Sequence, residues 1–106
     1  MSSDEELQER IVEYLDTRLK ELSGKGVDIT YITRPEHSSS SNPAIIVEIN
    51  NLGIACDLGV WLRRTADIDV VRFEDDGFDT LFDFHDYFTD FEHIASQIDQ
   101  ALSYYR

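Results

Sequence analysis

The chain has 106 residues, and its 22 Asp and Glu residues against nine Lys and Arg residues give it a formal net charge of −13 at pH 7. A chain of this length is expected to form one domain, residues 1–106. Because nucleic acids and anionic membranes are bound through basic residues, the charge argues against both as partners. The sequence has neither a signal peptide nor an apolar run of about 20 residues, so we expect a cytoplasmic protein.

The negative charge is concentrated in the segment 66–93. This segment contains ten carboxylates, and Arg72 is its only Lys or Arg residue. It also contains seven aromatic residues, which an acidic disordered tail would lack: Phe73, Phe78, Phe82, Phe84, Tyr87, Phe88 and Phe91. The segment is therefore predicted to fold and to present a negative field that favours a basic protein partner.

The N-terminal segment predicts an amphipathic helix. Ser3 and Glu6 have the spacing of a capping box, and Gly24 after Ser23 can end the helix in a left-handed conformation. The apolar stripe of this helix consists of Leu7, Ile11, Tyr14, Leu15, Leu19 and Leu22.

Alternating apolar residues then predict five strands, at about 27–31, 44–49, 54–62, 68–70 and 78–84. The loops between most of them are short, which is typical of an antiparallel meander. The third strand carries the single cysteine, Cys56, on its apolar face. We therefore expect Cys56 to be a buried thiol rather than a reactive one.

A second amphipathic helix is predicted to begin near Thr89 or Asp90, with Thr89 and Glu92 at capping-box spacing. Its apolar stripe consists of Phe91, Ile94, Ile98, Ala101, Leu102 and Tyr105. The predicted order is α-β-β-β-β-β-α, which corresponds to a two-layer α+β fold. In this fold both helices pack on one face of a five-stranded antiparallel meander.

The register of the last hairpin follows from the parity of its core positions. Core candidates have even numbers on both strands: Ile68 and Val70 on the fourth, and Phe78, Phe82 and Phe84 on the fifth. Residues that face each other must therefore have numbers with an even sum. A three-residue turn at 75–77 meets this condition and places Gly77 where a left-handed residue is needed. The predicted pairs are Ile68–Phe84 and Val70–Phe82 on the core face, and Asp67–His85, Asp69–Asp83, Val71–Leu81 and Phe73–Asp79 on the other face.

This assignment turns a mixed acidic and apolar set of side chains away from the helices. Like charges directly opposite each other destabilise a sheet, whereas apolar residues within a charged surround are typical of a protein interface. The predicted partner-binding residues are Asp57, Trp61, Asp67, Asp69, Val71, Phe73, Asp79, Leu81, Asp83 and His85, with Ile46 and Glu48 extending the face.

The sequence gives little support for catalysis or for a cofactor. Asp67, Asp69, Asp83 and His85 could together offer oxygen and nitrogen ligands to a metal, but their spacing matches no known metal-binding loop. His85 and Asp86 are adjacent on a strand and are expected to point to opposite faces, a poor geometry for a catalytic dyad. We therefore expect a non-enzymatic protein with no catalytic, cofactor or metal residues.

From about residue 43 onward the order of motifs is distinctive. An alternating strand is followed by a tryptophan, an aspartate-led strand, a glycine turn, a histidine followed by an aromatic residue, and an amphipathic helix at 91–105. The residues that carry this order are Pro43, Ile45, Val47, Ile49, Trp61, Asp67 or Asp69, Val70, Gly77, His85 and Tyr87. In these features the chain resembles the TriTu family of immunity proteins, which accompany bacterial polymorphic toxins. The resemblance implies a binder that neutralises a toxin encoded beside it. In place of the glycine-containing turn common after the tryptophan in that family, this chain has residues 63–66, which lack glycine.

Four functions remain open from the sequence. The leading hypothesis is an immunity protein, monomeric or weakly dimeric, that covers the basic surface of a toxin domain. The alternative is a small acidic secretion chaperone or adaptor, which would dimerise and wrap an extended client. A DNA mimic would need carboxylates spaced along an elongated surface, and a metal-dependent enzyme would need the cluster described above to bind an ion.

Overall fold

The computed structural model describes residues 3–105. Its elements are α1 (Ser3–Ser23), β1 (Asp28–Thr33), a short 3₁₀ turn (Pro35–His37), β2 (Ala44–Asn51), β3 (Ile54–Trp61), β4 (Thr65–Glu74), β5 (Gly77–Tyr87), α2 (Phe91–Leu102) and a final 3₁₀ turn (Ser103–Tyr105). The five strands form one antiparallel sheet in sequence order. The predicted α+β fold is confirmed. No helix within residues 3–105 combines the length and the apolar character needed to cross a membrane.

Both helices pack on the same face of the sheet, where they share one hydrophobic core with the strands. The largest buried side chains are Ile11, Leu15, Leu19, Ile45, Ile49, Leu58, Ile68, Ile94 and Ile98, together with Val47, Val60 and Val70. Cys56 is buried among them, as predicted. The C-terminal turn closes the layer, because the hydroxyl of the buried Tyr105 donates a hydrogen bond of 2.8 Å to the carbonyl oxygen of Ile49.

The first helix ends at Ser23, as predicted. The left-handed glycine that follows it is Gly26 and not the predicted Gly24. Gly26 has a φ of 87°, whereas Gly24 is not left-handed. The amide of Val27 donates to the carbonyl of Leu22, and the amide of Gly26 donates to that of Ser23. This pair of bonds is a Schellman motif, which satisfies carbonyls that the helix end leaves open. The predicted capping box at the start of α1 depends on Ser3, whose side chain lies outside the described residues.

The second helix is capped by Asp90 rather than by Thr89. The Asp90 carboxylate accepts a hydrogen bond of 2.9 Å from the amide of His93. In return, Nδ1 of His93 accepts a bond of 3.1 Å from the amide of Thr89. The sequence predicted the place of this helix start correctly, but the partner three residues after the cap is His93 and not Glu92.

The β4–β5 hairpin differs from the predicted register near its turn. Glu74 pairs with Gly77, so the turn consists of two residues, Asp75 and Asp76, and not of three. The ladder then shifts between Val70 and Val71, which leaves Leu81 as the extra residue of a β-bulge. The bulge restores the predicted register for the rest of the hairpin, where Val70–Phe82, Ile68–Phe84, Asp69–Asp83 and Asp67–His85 pair as expected.

Between the bulge and the turn the predicted pairs are wrong. Phe73 faces Phe78, Val71 faces Thr80 and Arg72 faces Asp79. Phe78, which was predicted to lie in the core, is 66% exposed. The parity rule failed here because it holds only for an unbroken ladder, and a bulge adds one residue to one strand.

Candidate protein-binding face

The outer face of the sheet, which neither helix covers, lies opposite the core. Its residues alternate along each strand with the buried ones. They include Ile46, Glu48, Ala55, Asp57, Gly59, Trp61, Asp67, Asp69, Val71, Asp83 and His85. This face collects side chains from all five strands, since Thr30 on β1 lies opposite Glu48. Its chemistry is therefore set by the register of the meander.

A continuous row of carboxylates crosses the middle of the outer face. Glu48 on β2 is directly opposite Asp57 on β3, which is opposite Asp69 on β4, which in turn is opposite Asp83 on β5. We call Glu48, Asp57, Asp69 and Asp83 the acidic row. Side chains at such positions have Cβ atoms about 5 Å apart, so every step in the row brings two like charges together.

One histidine bridges two carboxylates beside this row. Nε2 of His85 lies 2.8 Å from Oδ1 of Asp69, and its Nδ1 lies 2.8 Å from Oδ1 of Asp67. Ionised carboxylates can only accept hydrogen bonds, so both contacts are hydrogen bonds only when the imidazole is protonated and both ring nitrogens donate. The hydrogen bond that His85 donates to Asp69, followed by the one it donates to Asp67, raises the pKa of His85 above its usual value. His85 therefore offsets part of the negative charge of the face when it is protonated.

An apolar patch adjoins the acidic row on the side of β3 and β2. The indole of Trp61 lies back over Gly59, since a Cβ added to Gly59 would stand 2.9 Å from Cη2 and Cζ3 of the ring. The same Cβ would be 3.6 Å from Cγ1 of Ile46. Gly59 pairs with Asp67 on β4, so the half-exposed indole and the Asp67–His85 pair are neighbours on the face. Because Gly59 has no side chain, the ring can lie this close to its backbone.

The structure brings most of the predicted partner-binding residues together. Those on the outer face are Asp57, Trp61, Asp67, Asp69, Val71, Asp83 and His85. Phe73 lies beyond the end of β3 and is 59% exposed.

Two predicted residues are placed elsewhere. Asp79 lies opposite Arg72, on the side that the helices occupy, and Leu81 packs against the hydrophobic core. Both errors arise from the bulge. Sequence reasoning also missed Phe78 as an exposed residue, although testing a two-residue turn at 75–76 would have placed it beside Phe73.

The chemistry that the site residues could support is limited. Within residues 3–105, no group of three or more His, Cys, Asp or Glu residues is arranged to hold a metal ion. The Asp86 carboxylate accepts a bond from the amide of Tyr87, and His85 is bonded to other carboxylates. Burial raises the pKa of Cys56 to about 12, so its thiol is neutral and inaccessible.

A second acidic surface lies on the helix layer. An open groove of about 510 Å³ runs between α1 and the 3₁₀ turn after β1, and its lining includes Glu9, Glu13, Asp16 and Glu36. Arg34 at its border donates hydrogen bonds of 3.1 Å and 2.9 Å to Asp16 and also bonds Glu36. The negative charge of the groove is therefore partly neutralised by the guanidinium of Arg34.

Comparison with protein-family models found no match, and comparisons with curated proteins and with solved structures found no significant similarity.

Proposed function

We propose that this chain is a non-enzymatic binding protein of the immunity type, which neutralises a basic protein partner by covering it with the outer face of its sheet. The acidic row carries this proposal. Four carboxylates in direct register raise the energy of the free protein, because each step opposes two like charges. A partner that places lysine or arginine side chains along the row removes that repulsion, so the same feature stabilises the complex.

The size of the outer face suits such a role. Five strands about 4.8 Å apart, each about eight residues long, give an area of roughly 600 Å². A standard protein interface buries about 800 Å² on each partner, so the face and its rim suffice for one. Trp61 supplies the kind of aromatic anchor that carries much of the energy in such interfaces.

The charge also bears on the rate of association. A net charge of −13 attracts a basic partner over distance, and steering of this kind raises association rate constants from about 10⁵–10⁶ to as much as 10⁸–10⁹ M⁻¹s⁻¹ at low salt. Fast capture suits a protein that must intercept a toxin. The resemblance of the segment from Pro43 onward to the TriTu immunity family supports the same assignment.

The test uses the toxin domain encoded by the adjacent gene as the probe. Asp83→Lys reverses one charge at the exposed end of the acidic row, and Glu9→Lys makes the same change on the helix layer as a control. We expect Asp83→Lys to lower the association rate constant about tenfold at low salt and to flatten its salt dependence. Glu9→Lys should have a much smaller effect. Equal effects of the two variants, or no binding of the wild-type protein, would contradict the proposal.

Light scattering distinguishes the immunity role from that of a secretion chaperone. An immunity protein of this kind is expected at the monomer mass of 12.3 kDa. An obligate dimer in the absence of any partner would instead favour a chaperone that wraps an extended client.

A further inference from the structure

The hairpin tip, residues 72–79, projects beyond the rest of the sheet. The last pair between β3 and β4 is Ile54–Arg72, so the end of β4 runs past its neighbour. One bond of 2.7 Å, from the amide of Phe73 to the carbonyl of Gly53, ties the tip to the turn between β2 and β3. Every residue of the tip is exposed, and none belongs to the hydrophobic core.

Three large apolar side chains meet solvent at this end of the molecule. Phe73 and Phe78 face each other across the hairpin and are 59% and 66% exposed. Leu52, in the adjoining turn, is 99% exposed and has a φ of 30°. Asparagine and glycine are the residues that favour such a backbone conformation. Neither the core nor the turn geometry accounts for a leucine there.

The apolar residues of the tip share it with four carboxylates. Glu74, Asp75, Asp76 and Asp79 lie within the tip, and Arg72 is its only basic residue. Two exposed phenylalanines on a negatively charged hairpin tip are complementary to an apolar pocket bordered by lysine or arginine. They are not complementary to a second copy of this chain, because self-association would bring the same carboxylates together.

We propose that the hairpin tip is a docking element that inserts Phe73 and Phe78 into an apolar pocket on the basic surface of a protein partner. Leu52 covers the border of that pocket. The inference rests on the proposed function and adds to it the mode of binding. The acidic row attracts and orients the partner, and the tip anchors it.

The test maps binding on the full chain by ¹⁵N–¹H NMR with two synthetic probes of equal charge. One is a short peptide that alternates lysine and leucine, and the other contains the same number of lysines separated by serine. We expect the lysine–leucine peptide to shift the resonances of Leu52 and of residues 72–79, and the lysine–serine peptide to shift those of the acidic row. If both peptides give the same pattern, charge alone governs binding and the proposal is wrong.

A double variant, Phe73→Ser with Phe78→Ser, removes the anchor, and Tyr87→Ser removes another exposed aromatic residue at the far end of β5 as a control. We expect the double variant to weaken binding of the lysine–leucine peptide about tenfold and the control to leave it unchanged. Unchanged binding by the double variant overturns the proposal. So do tip resonances that move with protein concentration in the absence of peptide, because a second copy would then be the occupant.

The same variants separate this inference from the proposed function. In one outcome, the toxin domain encoded by the adjacent gene binds the double variant as tightly as the wild type and associates more slowly with the Asp83→Lys variant. That result refutes only the role of the tip. If that domain does not bind the wild-type protein at all, the immunity function is refuted, and the peptide experiment still decides the role of the tip.

Discussion

Replacing Asp57 with asparagine should stabilise the free protein, although it removes a charged surface residue. Asp57 stands between Glu48 on one side and Asp69 on the other. The substitution keeps the shape of the side chain and eliminates both repulsions. The repulsion between Asp57 and Asp69 is already reduced, because Asp69 is hydrogen-bonded to His85.

The size of the effect follows from the spacing of the row. Two carboxylates about 6 Å apart in water repel by about 0.7 kcal/mol, and a Debye length of about 10 Å at 0.1 M salt reduces this to about 0.4 kcal/mol. With Glu48 contributing fully and Asp69 in part, Asp57→Asn should raise the free energy of unfolding by about 0.5 kcal/mol. For a domain of this size the midpoint of thermal unfolding would rise by about 2–4 °C.

Urea and thermal unfolding at low salt measure this change, and Asp79→Asn provides the matched control. Asp79 also lies on the sheet, but it faces Arg72. Asp79→Asn changes the net charge by the same amount but removes the attraction between Asp79 and Arg72. The free energy of unfolding should therefore stay the same or fall slightly. Equal stabilisation by both variants would show that total charge, and not the row, sets the energy. At 1 M salt, where the Debye length is about 3 Å, the difference between the variants should nearly vanish.

Three further predictions concern single side chains. The raised pKa of His85 means that its hydrogen bonds stabilise the fold fully below the unfolded-state pKa of about 6.5, and that this contribution is lost as pH rises through the folded-state value. Urea unfolding should therefore show His85→Gln to be less stable than wild type near pH 6, with the gap closing at alkaline pH. A gap that widens instead would contradict the bridge. Gly59→Ala should displace the only tryptophan, Trp61, and shift its fluorescence to longer wavelength, whereas Gly24→Ala, whose new Cβ would lie 3.4 Å from its nearest neighbour, should leave the spectrum unchanged. Cys56 should react with a disulfide reagent at pH 8 only as fast as the protein unfolds, and rapid labelling of the folded protein would refute its burial.

Hydrophobic alternation was sufficient to predict the fold. The apolar positions of the middle strands could face only one way, because a one-residue slip would expose the whole set. The predicted pairs from Asp67–His85 to Val70–Phe82 were confirmed for this reason. Near the turn the constraint is weak, because no residue of the hairpin tip is needed in the core.

The remaining errors arise where several residues of one type compete for one role. Gly24 and Gly26 both suit a helix end, and the two hydrogen bonds of the Schellman motif, to the carbonyls of Leu22 and Ser23, select the second. The hydrogen bonds from His85 to two aspartates depend on side-chain conformations that periodicity does not describe.

The bulge at Leu81 has a consequence for how this fold can change over time. Leu81 is the only residue of β5 between Gly77 and Tyr87 with no counterpart on β4, so a chain lacking it would keep all the cross-strand pairs on either side. Such a chain would lose the packing of Leu81 against the core and the local bend and twist that a bulge imposes. The direction in which the tip points would change with that bend. The bulge therefore allows the direction of the hairpin tip to change without a change in the cross-strand pairs of the outer face. Homologous proteins could redirect or rebuild the tip to follow a changing partner while Asp69, Asp83 and His85 stay in place.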